Sequence, residues 1–356
     1  MQRKLFYIIA LFTLCFSMQA QEYQWNVELN YFFNNNENRA STLAPDKTMT
    51  GTWLNTLGGI SWDNSHTLFG GVNLLKIPGL QPTINKVDVT LFYRFESPLM
   101  YFRAGAFPRK DVLSHYNTFF FRNYVHHFMP QMQGIFWQIG RNRHFFNAWL
   151  DWTGMPTPTQ RESFLFGFSG RASTQVFFAE FQSYINHLAN TTAHSDYGVS
   201  EQMQILASLG AQHRTQNGFS GMASAGVLAA VERIRREDLT HRPVGFVVRA
   251  NAEFWGIGTQ NTLYVGNPRM KFYEREGNLL YWQTPFLRGS SYVKSSWYIR
   301  LLETRFARAK FSYVLHFSEG RVMEQQMLTV SADIGNVKGR RQESVNRAFP
   351  WGRIFR

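Results

Sequence analysis

The sequence contains a single cysteine and no long apolar run. Cys15 lies among the first twenty residues, so the rest of the 356-residue chain cannot form a disulfide. After residue 20, no apolar stretch approaches the roughly 20 residues that a transmembrane helix needs. A membrane protein of this sequence must therefore be a closed β-barrel, because only helices and closed barrels satisfy every backbone hydrogen bond in lipid.

Charged residues are also few, at 17%, whereas aromatic residues are many, at 16%. This is more large apolar side chain than the core of a soluble domain usually requires, so we expect part of it to face lipid. The formal net charge is +13, but the basic residues are scattered among predicted strands and are not gathered on one helix. Nucleic acid is therefore not an expected partner.

The N-terminus has the three parts of a secretory signal peptide. Arg3 and Lys4 precede an apolar run from Leu5 to Phe16, which is too short to span a bilayer, and Ala20 ends a small-residue cleavage site. We expect three regions along the chain: a signal peptide at residues 1–20, an outer-membrane β-barrel at residues 21–335 and a basic periplasmic tail at residues 336–356.

Several segments alternate apolar and polar residues with a period of two, which is typical of a strand with one apolar and one polar face. The first places the odd-numbered residues from Trp25 to Phe33 on one face and the even-numbered residues from Gln24 to Asn30 on the other. In another such segment, only Phe92 interrupts the polar face. A soluble β-sandwich would show the same alternation, so the pattern predicts strands without deciding the fold.

The lengths of the connections favour a barrel. Long and short connections alternate along the chain, as in outer-membrane barrels with long extracellular loops and short periplasmic turns. The longest, Phe107–Gln131, precedes the short turn Asn142–Arg143, and the last long one is Ser318–Glu324. The series predicts a closed antiparallel transmembrane β-barrel of about 16 strands. Fourteen strands are the alternative, because residues 199–231 are rich in small residues and weakly patterned.

If the apolar faces point to lipid, the polar faces point into the lumen, because a charge on the lipid face costs about 2–4 kcal/mol at mid-depth. Such charges form selectivity rings in an open channel, or they pair across the lumen and close it. Sixteen strands leave room for an aqueous channel, which favours the first arrangement. The charged residues that we expect to line the lumen are Glu28, Lys86, Asp88, Arg94, Arg103, Arg249, Glu253 and Lys310.

The longest loop is the candidate constriction of such a channel. Folded inward, it would narrow the lumen; folded outward, it would form an extracellular cap. The adjacent histidines of this loop have no cysteine or close carboxylate to complete a metal site, and the sequence predicts no metal and no cofactor. The residues concerned are Arg109, Lys110, Asp111, Arg122, His126 and His127.

No motif predicts an enzyme. His194, Ser195 and Asp196 are consecutive in a predicted turn, where side chains diverge and do not form a triad. A barrel hydrolase that acts on lipids would place its catalytic groups on the apolar outer faces of the strands. No His and Ser stand at a suitable spacing on those faces. The sequence thus favours a non-enzymatic channel in outer-membrane lipid for passive diffusion of small polar solutes or ions, with a homo-oligomer as a further option. The alternative is a non-conducting anchor whose aromatic loop 266–292 binds a polysaccharide or a surface partner.

Several blocks of the sequence resemble uncharacterised, porin-like outer-membrane β-barrel proteins of the Bacteroidota. The resemblance implies the location and the fold, and no particular reaction. In one respect the chain departs from such barrels, which commonly end on an aromatic residue of the last strand, since 22 residues follow Ile334. They form either a periplasmic extension or a final strand near Ala348–Phe355. The blocks that carry the resemblance are Gln19–Gln21, Ala148–Gly154, Arg161–Phe164, Gln260–Gly266 and Leu280–Phe286.

Overall fold

The computed structural model describes residues 21–38, 41–141, 143–215 and 218–337, so the predicted signal peptide and residues 338–356 of the predicted tail lie outside it. The described chain forms one antiparallel sheet of 17 strands. The strands are β1 (Glu22–Glu37), β2 (Lys47–Trp62), β3 (His66–Lys76), β4 (Lys86–Glu96), β5 (Met100–Pro108), β6 (Gln131–Arg141), β7 (His144–Gly154), β8 (Ser163–Ser173), β9 (Phe177–Leu188), β10 (Ser200–Arg214), β11 (Phe219–Ile234), β12 (Leu239–His241), β13 (Val244–Phe254), β14 (Ile257–Gly266), β15 (Ser291–Glu303), β16 (Ala307–Ser318) and β17 (Arg321–Gly335).

The first and last strands pair with each other and close the sheet into a barrel. Their register runs without a break from Asn26 opposite Gly335 to Glu37 opposite Glu324. The short strand β12 pairs with the end of β11 and stands outside the ring, because β11 pairs with β13 along most of its length. The ring therefore has 16 strands, and the predicted closed antiparallel barrel is confirmed. The weakly patterned residues 199–231 contribute the regular strands β10 and β11.

Two connections are shorter than predicted, namely the one after β1, which was expected to begin directly after Phe33, and the one between β16 and β17. Strand β1 continues to Glu37, because Asn34, Asn35 and Asn36 pair with β2 on one side and β17 on the other. Strands β16 and β17 are joined by only Glu319 and Gly320, where a longer loop was predicted. Both residues have positive φ, 53° and 70°, which is the backbone of a tight antiparallel hairpin.

The two faces of each strand meet different surroundings, as β4 illustrates. Val89 and Leu91 are 62% and 58% exposed on the outside, whereas Thr90 between them is buried. Phe92, which interrupts the polar pattern, is buried on the inner face and stacks on Phe69 at a centroid distance of 4.9 Å. The barrel therefore has an apolar outer band and an inner face that combines polar groups with aromatic rings.

Two long loops fold back into the barrel and fill part of its lumen. The first lumen loop (residues 109–130) contains helices α1 (Lys110–Leu113) and α2 (Asn123–Phe128), and the second lumen loop (residues 267–290) contains α3 (Tyr273–Leu280). No helix in the described part of the chain is long and apolar enough to cross a membrane. Most apolar side chains of both loops are buried against the inner wall, and the main hydrophobic core lies inside the barrel.

The two lumen loops hold each other in place. The backbone N–H of Arg122 donates to the carbonyl oxygen of Trp282 at 2.8 Å, and that of Thr284 donates to Phe119 at 3.2 Å. The guanidinium of Arg109 lies 5.2 Å from the centre of the Trp282 ring. The loops thus form one plug, and contacts to the wall decide its position.

The ion pair between Arg109 of the plug and Asp151 of β7 provides a test of that anchoring. The two groups are 2.5 Å apart and almost fully buried. Arg109→Ala should lower the free energy of unfolding by about 3–5 kcal/mol, because Asp151 would remain buried without its cation. Denaturant unfolding in lipid vesicles, followed by tryptophan fluorescence, measures the change.

A matched control is Arg233→Ala, which removes an exposed ion pair with Asp238 at 3.4 Å. This change should cost at most about 1 kcal/mol. Equal losses in the two variants would contradict the role of Arg109 as an anchor.

Candidate functional site

The charged residues predicted for the lumen lie on the inner faces of their strands, and those near the plug contact one another or the plug. Arg94 donates to Gln24 at 3.1 Å, and Lys86 lies 2.9 Å from Asp88. Arg103 forms an ion pair with Asp111 of the first lumen loop at 2.9 Å. Two of these contacts are ion pairs within the lumen, and the third joins Arg94 to a neutral amide.

Further along the barrel, the inner charges follow the same rule. Arg249 binds the carboxylate of Glu180, and Glu253 accepts from Arg300 at 2.8 Å. Lys310 is exposed, and its ammonium lies 5.5 Å from the centre of the Tyr298 ring. The lumen away from the plug is therefore polar and partly accessible to water.

The predicted constriction loop is folded inward. Lys110 reaches across to the carboxylate of Glu28 on β1, so that the loop is tied to the wall at a second point beside Arg109 and Asp151. Arg122 contacts the second lumen loop through the carbonyl oxygen of Tyr281 at 3.4 Å. Of the two predicted positions, the loop therefore takes the inward one. It forms part of a plug with many contacts to the wall and is not a free loop across an open pore.

The aromatic residues considered for sugar binding are mostly buried in the second lumen loop. The rings of Tyr281, Trp282 and Phe286 are at most 5% exposed. Phe286 stacks on Tyr292 of the wall at a centroid distance of 5.0 Å. These three rings pack inside the barrel and do not form a surface for sugar binding.

The first lumen loop places His127 against the C-terminal end of β1. The imidazole ring stacks on Phe32 with a centroid distance of 4.2 Å and planes only 5° apart. Its Nε2 atom lies 3.3 Å from Nδ2 of Asn34. The indole N–H of Trp53 donates to the backbone carbonyl oxygen of His127 at 2.8 Å. These contacts fix both the backbone and the ring of His127.

The partners of Asn34 identify the protonation state of His127. Oδ1 of Asn34 accepts a hydrogen bond from Gln325 at 2.7 Å, so the amide nitrogen of Asn34 faces the imidazole and can only donate. Nε2 of His127 therefore carries the lone pair, and Nδ1 carries the proton. Burial, together with the neighbouring His126, lowers the pKa of His127 to about 4, so the ring is neutral at pH 7.

A cavity of about 260 Å³ adjoins this histidine inside the barrel. Within the described residues, no group of three or more His, Cys, Asp or Glu side chains could hold a metal ion. The side chain of Lys110 is 53% exposed, so its ammonium can reach a bound molecule. The neutral imidazole of His127 lines this cavity and has an unprotonated nitrogen that can accept a proton. The polar lining of the cavity includes Glu28, Asn73, Thr90, Lys110, Gln131 and Ser331.

A second histidine of the same loop contacts a serine but is not arranged for nucleophilic catalysis. Nε2 of His115 lies 2.7 Å from Oγ of Ser169, and this hydroxyl donates its proton to Oδ1 of Asn147 at 2.8 Å. The imidazole must then donate to the serine, whereas an activated serine donates to the imidazole. Ser169 is also fully buried. His115 therefore serves to attach the plug to the wall.

The sequence identified His127 as a loop residue but not its partners. Asn34 and Gln325 are 291 residues apart along the chain and meet only where the barrel closes. Their positions were the one sequence signal that could have pointed to this contact, since each is a polar residue on the inner face near the end of a strand. Without the register of β1 against β17, that signal could not be converted into a contact.

Solved outer-membrane proteins share this fold at low sequence identity. The trimer form of OmpT from Vibrio cholerae superposes with a TM-score of 0.53 at 9% identity, covering 89% of this chain and 100% of that one. OpdL of Pseudomonas aeruginosa gives 0.54 at 12% identity, covering 89% and 99%. An anion-selective porin from Comamonas acidovorans gives 0.53 at 9% identity, covering 88% and 99%. No curated protein sequence matches the chain.

A family model described as lipid A 3'-O-deacylase-type matches residues 16–332. The match begins before β1 and ends within β17, so it spans nearly the whole barrel. The expectation that the protein is not an enzyme is wrong on this finding, because the family is one of enzymes. This chain belongs to the lipid A 3'-O-deacylase-type family.

Proposed function

We propose that this protein is an outer-membrane hydrolase that removes an ester-linked acyl chain from a lipid A-type glycolipid. The observation that carries the proposal is the neutral His127, which has an unprotonated Nε2 and lines a cavity in a chain of this family. The family supports the substrate class, and the geometry of His127 supports a general base. A base of this kind typically contributes about 10²–10⁴-fold to the rate.

In the proposed reaction, water is the nucleophile. Nε2 of His127 takes a proton from a water molecule while the water oxygen attacks the carbonyl carbon of the ester. The bond between that carbon and the sugar oxygen then breaks, and the imidazolium returns the proton to the leaving alkoxide. The products are a fatty acid and a glycolipid with a free hydroxyl group.

Two neighbours of His127 have defined parts in this reaction. Lys110 brings a half-exposed ammonium to the cavity, where it stabilises the negative charge that develops on the carbonyl oxygen. Asn34 donates to Nε2 over 3.3 Å, which is long for a hydrogen bond. This contact keeps Nε2 unprotonated, and it must open for the reacting water to reach the lone pair.

The location and the assembly state belong to the same proposal. The outer band of exposed apolar residues, such as Val89 and Leu91, suits contact with membrane lipid. Residues 1–20 would direct export and be removed, and residues 336–356 would form a basic periplasmic tail. The trimer form of the similar OmpT supports a homo-oligomer as a further part of the proposal.

Replacing the proposed base gives the first test. His127→Gln should lower kcat by about 10²–10⁴-fold, because glutamine keeps a polar side chain but cannot accept the proton. The measurement is fatty-acid release from purified lipid A, followed by mass spectrometry, with the protein folded in detergent micelles.

The matched control for this test is Ser169→Ala, which should retain the native rate because the hydroxyl is sealed from the cavity. Loss of activity in Ser169→Ala with full activity in His127→Gln would identify a serine nucleophile instead. A native rate in both variants would place the base elsewhere.

The acidity of His127 predicts the pH dependence of the rate. Because burial lowers its pKa to about 4, the base stays unprotonated as the pH falls from neutral and is lost only when the pH passes through that value. We therefore expect the acid limb of kcat near pH 4 and not near the ordinary histidine value of about 6.5. Initial rates across this range measure it, with circular dichroism at each pH to verify folding. An acid limb near 6.5 would contradict the assignment.

Diffusion of small polar solutes or ions through the lumen is the second candidate function. The polar inner face beyond the plug supports it, since Arg308 and Lys310 are exposed there. In planar bilayers we expect no porin-sized steps from the native protein, because the plug obstructs the lumen. We expect such steps from Arg109→Ala, which loosens the plug. Native conductance whose ion preference shifts when Arg94, Arg103 and Arg249 are neutralised would make the channel the leading function.

A further inference from the structure

The hydrogen bond between Asn34 and His127 is the last link of a longer chain of side chains. The hydroxyl of Tyr292 lies 2.6 Å from Nδ1 of His316, and Nε2 of His316 lies 2.9 Å from Oε1 of Gln325. Nε2 of Gln325 donates to Oδ1 of Asn34 at 2.7 Å. Four consecutive links thus join β15, β16, β17, β1 and the first lumen loop.

The orientation of the Gln325 amide in this structure sets the direction of the chain. Its amide oxygen can only accept, so Nε2 of His316 must carry a proton, and its amide nitrogen can only donate to Asn34. Nδ1 of His316 is then unprotonated and accepts from the hydroxyl of Tyr292. Every link therefore donates toward His127.

Packing holds the chain in this arrangement. Gln325 and Asn34 are 1% and 0% exposed, so no bulk water can replace a lost partner. Phe286 of the plug stacks on both His316 and Tyr292, at centroid distances of 4.8 Å and 5.0 Å. If the amide of Gln325 alone rotated by half a turn, with Asn34 and His316 unchanged, it would oppose two donors at one end and two acceptors at the other. Such unmatched buried groups are unfavourable.

We infer that Gln325 and His316 are positioning residues for His127. They hold Asn34 with its amide nitrogen toward Nε2, which keeps the imidazole proton on Nδ1 and the lone pair on the nitrogen that faces Asn34. The inference rests on the proposed function in one respect, namely that this lone pair is the catalytic base. The tautomer itself does not depend on activity, so the two can be tested separately.

The direct measurement is the nitrogen-15 spectrum of the imidazole groups in the folded, histidine-labelled barrel. The resonances of His127 are assigned from those that disappear in His127→Gln. In the native protein we expect a protonated Nδ1 and an unprotonated Nε2. In Gln325→Leu, which frees the Asn34 amide to turn, we expect both tautomers, because an imidazole without a fixed partner populates both.

The same variant should change the kinetics in a specific way. We expect Gln325→Leu to lower kcat by about 10- to 100-fold, by analogy with the range found when the group that orients a metal-bound histidine is removed, and to leave KM unchanged. The matched control is Gln326→Leu on the opposite side of β17, whose amide oxygen accepts from Asn35 at 2.9 Å. This control should keep the native tautomer and the native rate.

The outcomes separate the inference from the proposed function. A single, unchanged tautomer of His127 in Gln325→Leu overturns the inference, whatever the activity. A tautomer that responds to Gln325 in a native protein without hydrolase activity supports the inference and overturns the proposed function.

If Gln325→Leu does not fold, Asn34→Asp carries the test. A carboxylate only accepts, so it must draw a proton onto Nε2 of His127. An Nε2 that stays unprotonated in Asn34→Asp overturns the inference.

Discussion

The pairing of β1 with β17 is the contact on which the rest of this structure depends. It removes the two free sheet edges, which could not exist in lipid because their N–H and C=O groups would have no partners. It also brings the two ends of the described chain together, so that Asn34 and Gln325 become neighbours. Closure of the barrel and assembly of the candidate site are therefore one event.

Filling of the lumen is the second feature that separates this barrel from an open pore. A 16-stranded barrel is wide enough for water, but here two loops bring their aromatic and aliphatic side chains inside and bury them against the wall. The main core of the protein is thus enclosed by its own strands. Ion pairs such as Arg109 with Asp151 attach the plug at defined points, and this attachment positions His127 to within hydrogen-bonding distance of β1.

The interior of the barrel explains why the site chemistry differs from that of a surface histidine. Burial keeps His127 neutral, and a directed chain of neutral groups sets which of its nitrogens carries the lone pair. In the proposed hydrolysis, the cavity that His127 lines would hold the reacting water. The same enclosure makes Ser169 inaccessible, although its distance to His115 alone resembles that of a catalytic pair.

The sequence by itself determined the architecture. Strand periodicity, the absence of long apolar runs and the alternation of long and short connections led to a closed 16-strand antiparallel barrel, because these features follow from local geometry and from the solvent on each face. It also singled out the loop that folds inward and both of its histidines. It did not reveal the hairpin at Glu319 and Gly320, since a two-residue turn leaves only a weak signal.

Only the tertiary structure decided what the inner face does. Whether Glu28 is a free charge or the partner of Lys110 depends on where a loop eighty residues away comes to lie. Whether His127 is an ordinary loop residue or a candidate base depends on Asn34, whose own orientation depends on a residue of the last strand. Such contacts join positions far apart in the chain, and no local pattern encodes them. They are determined by the register of the closed barrel.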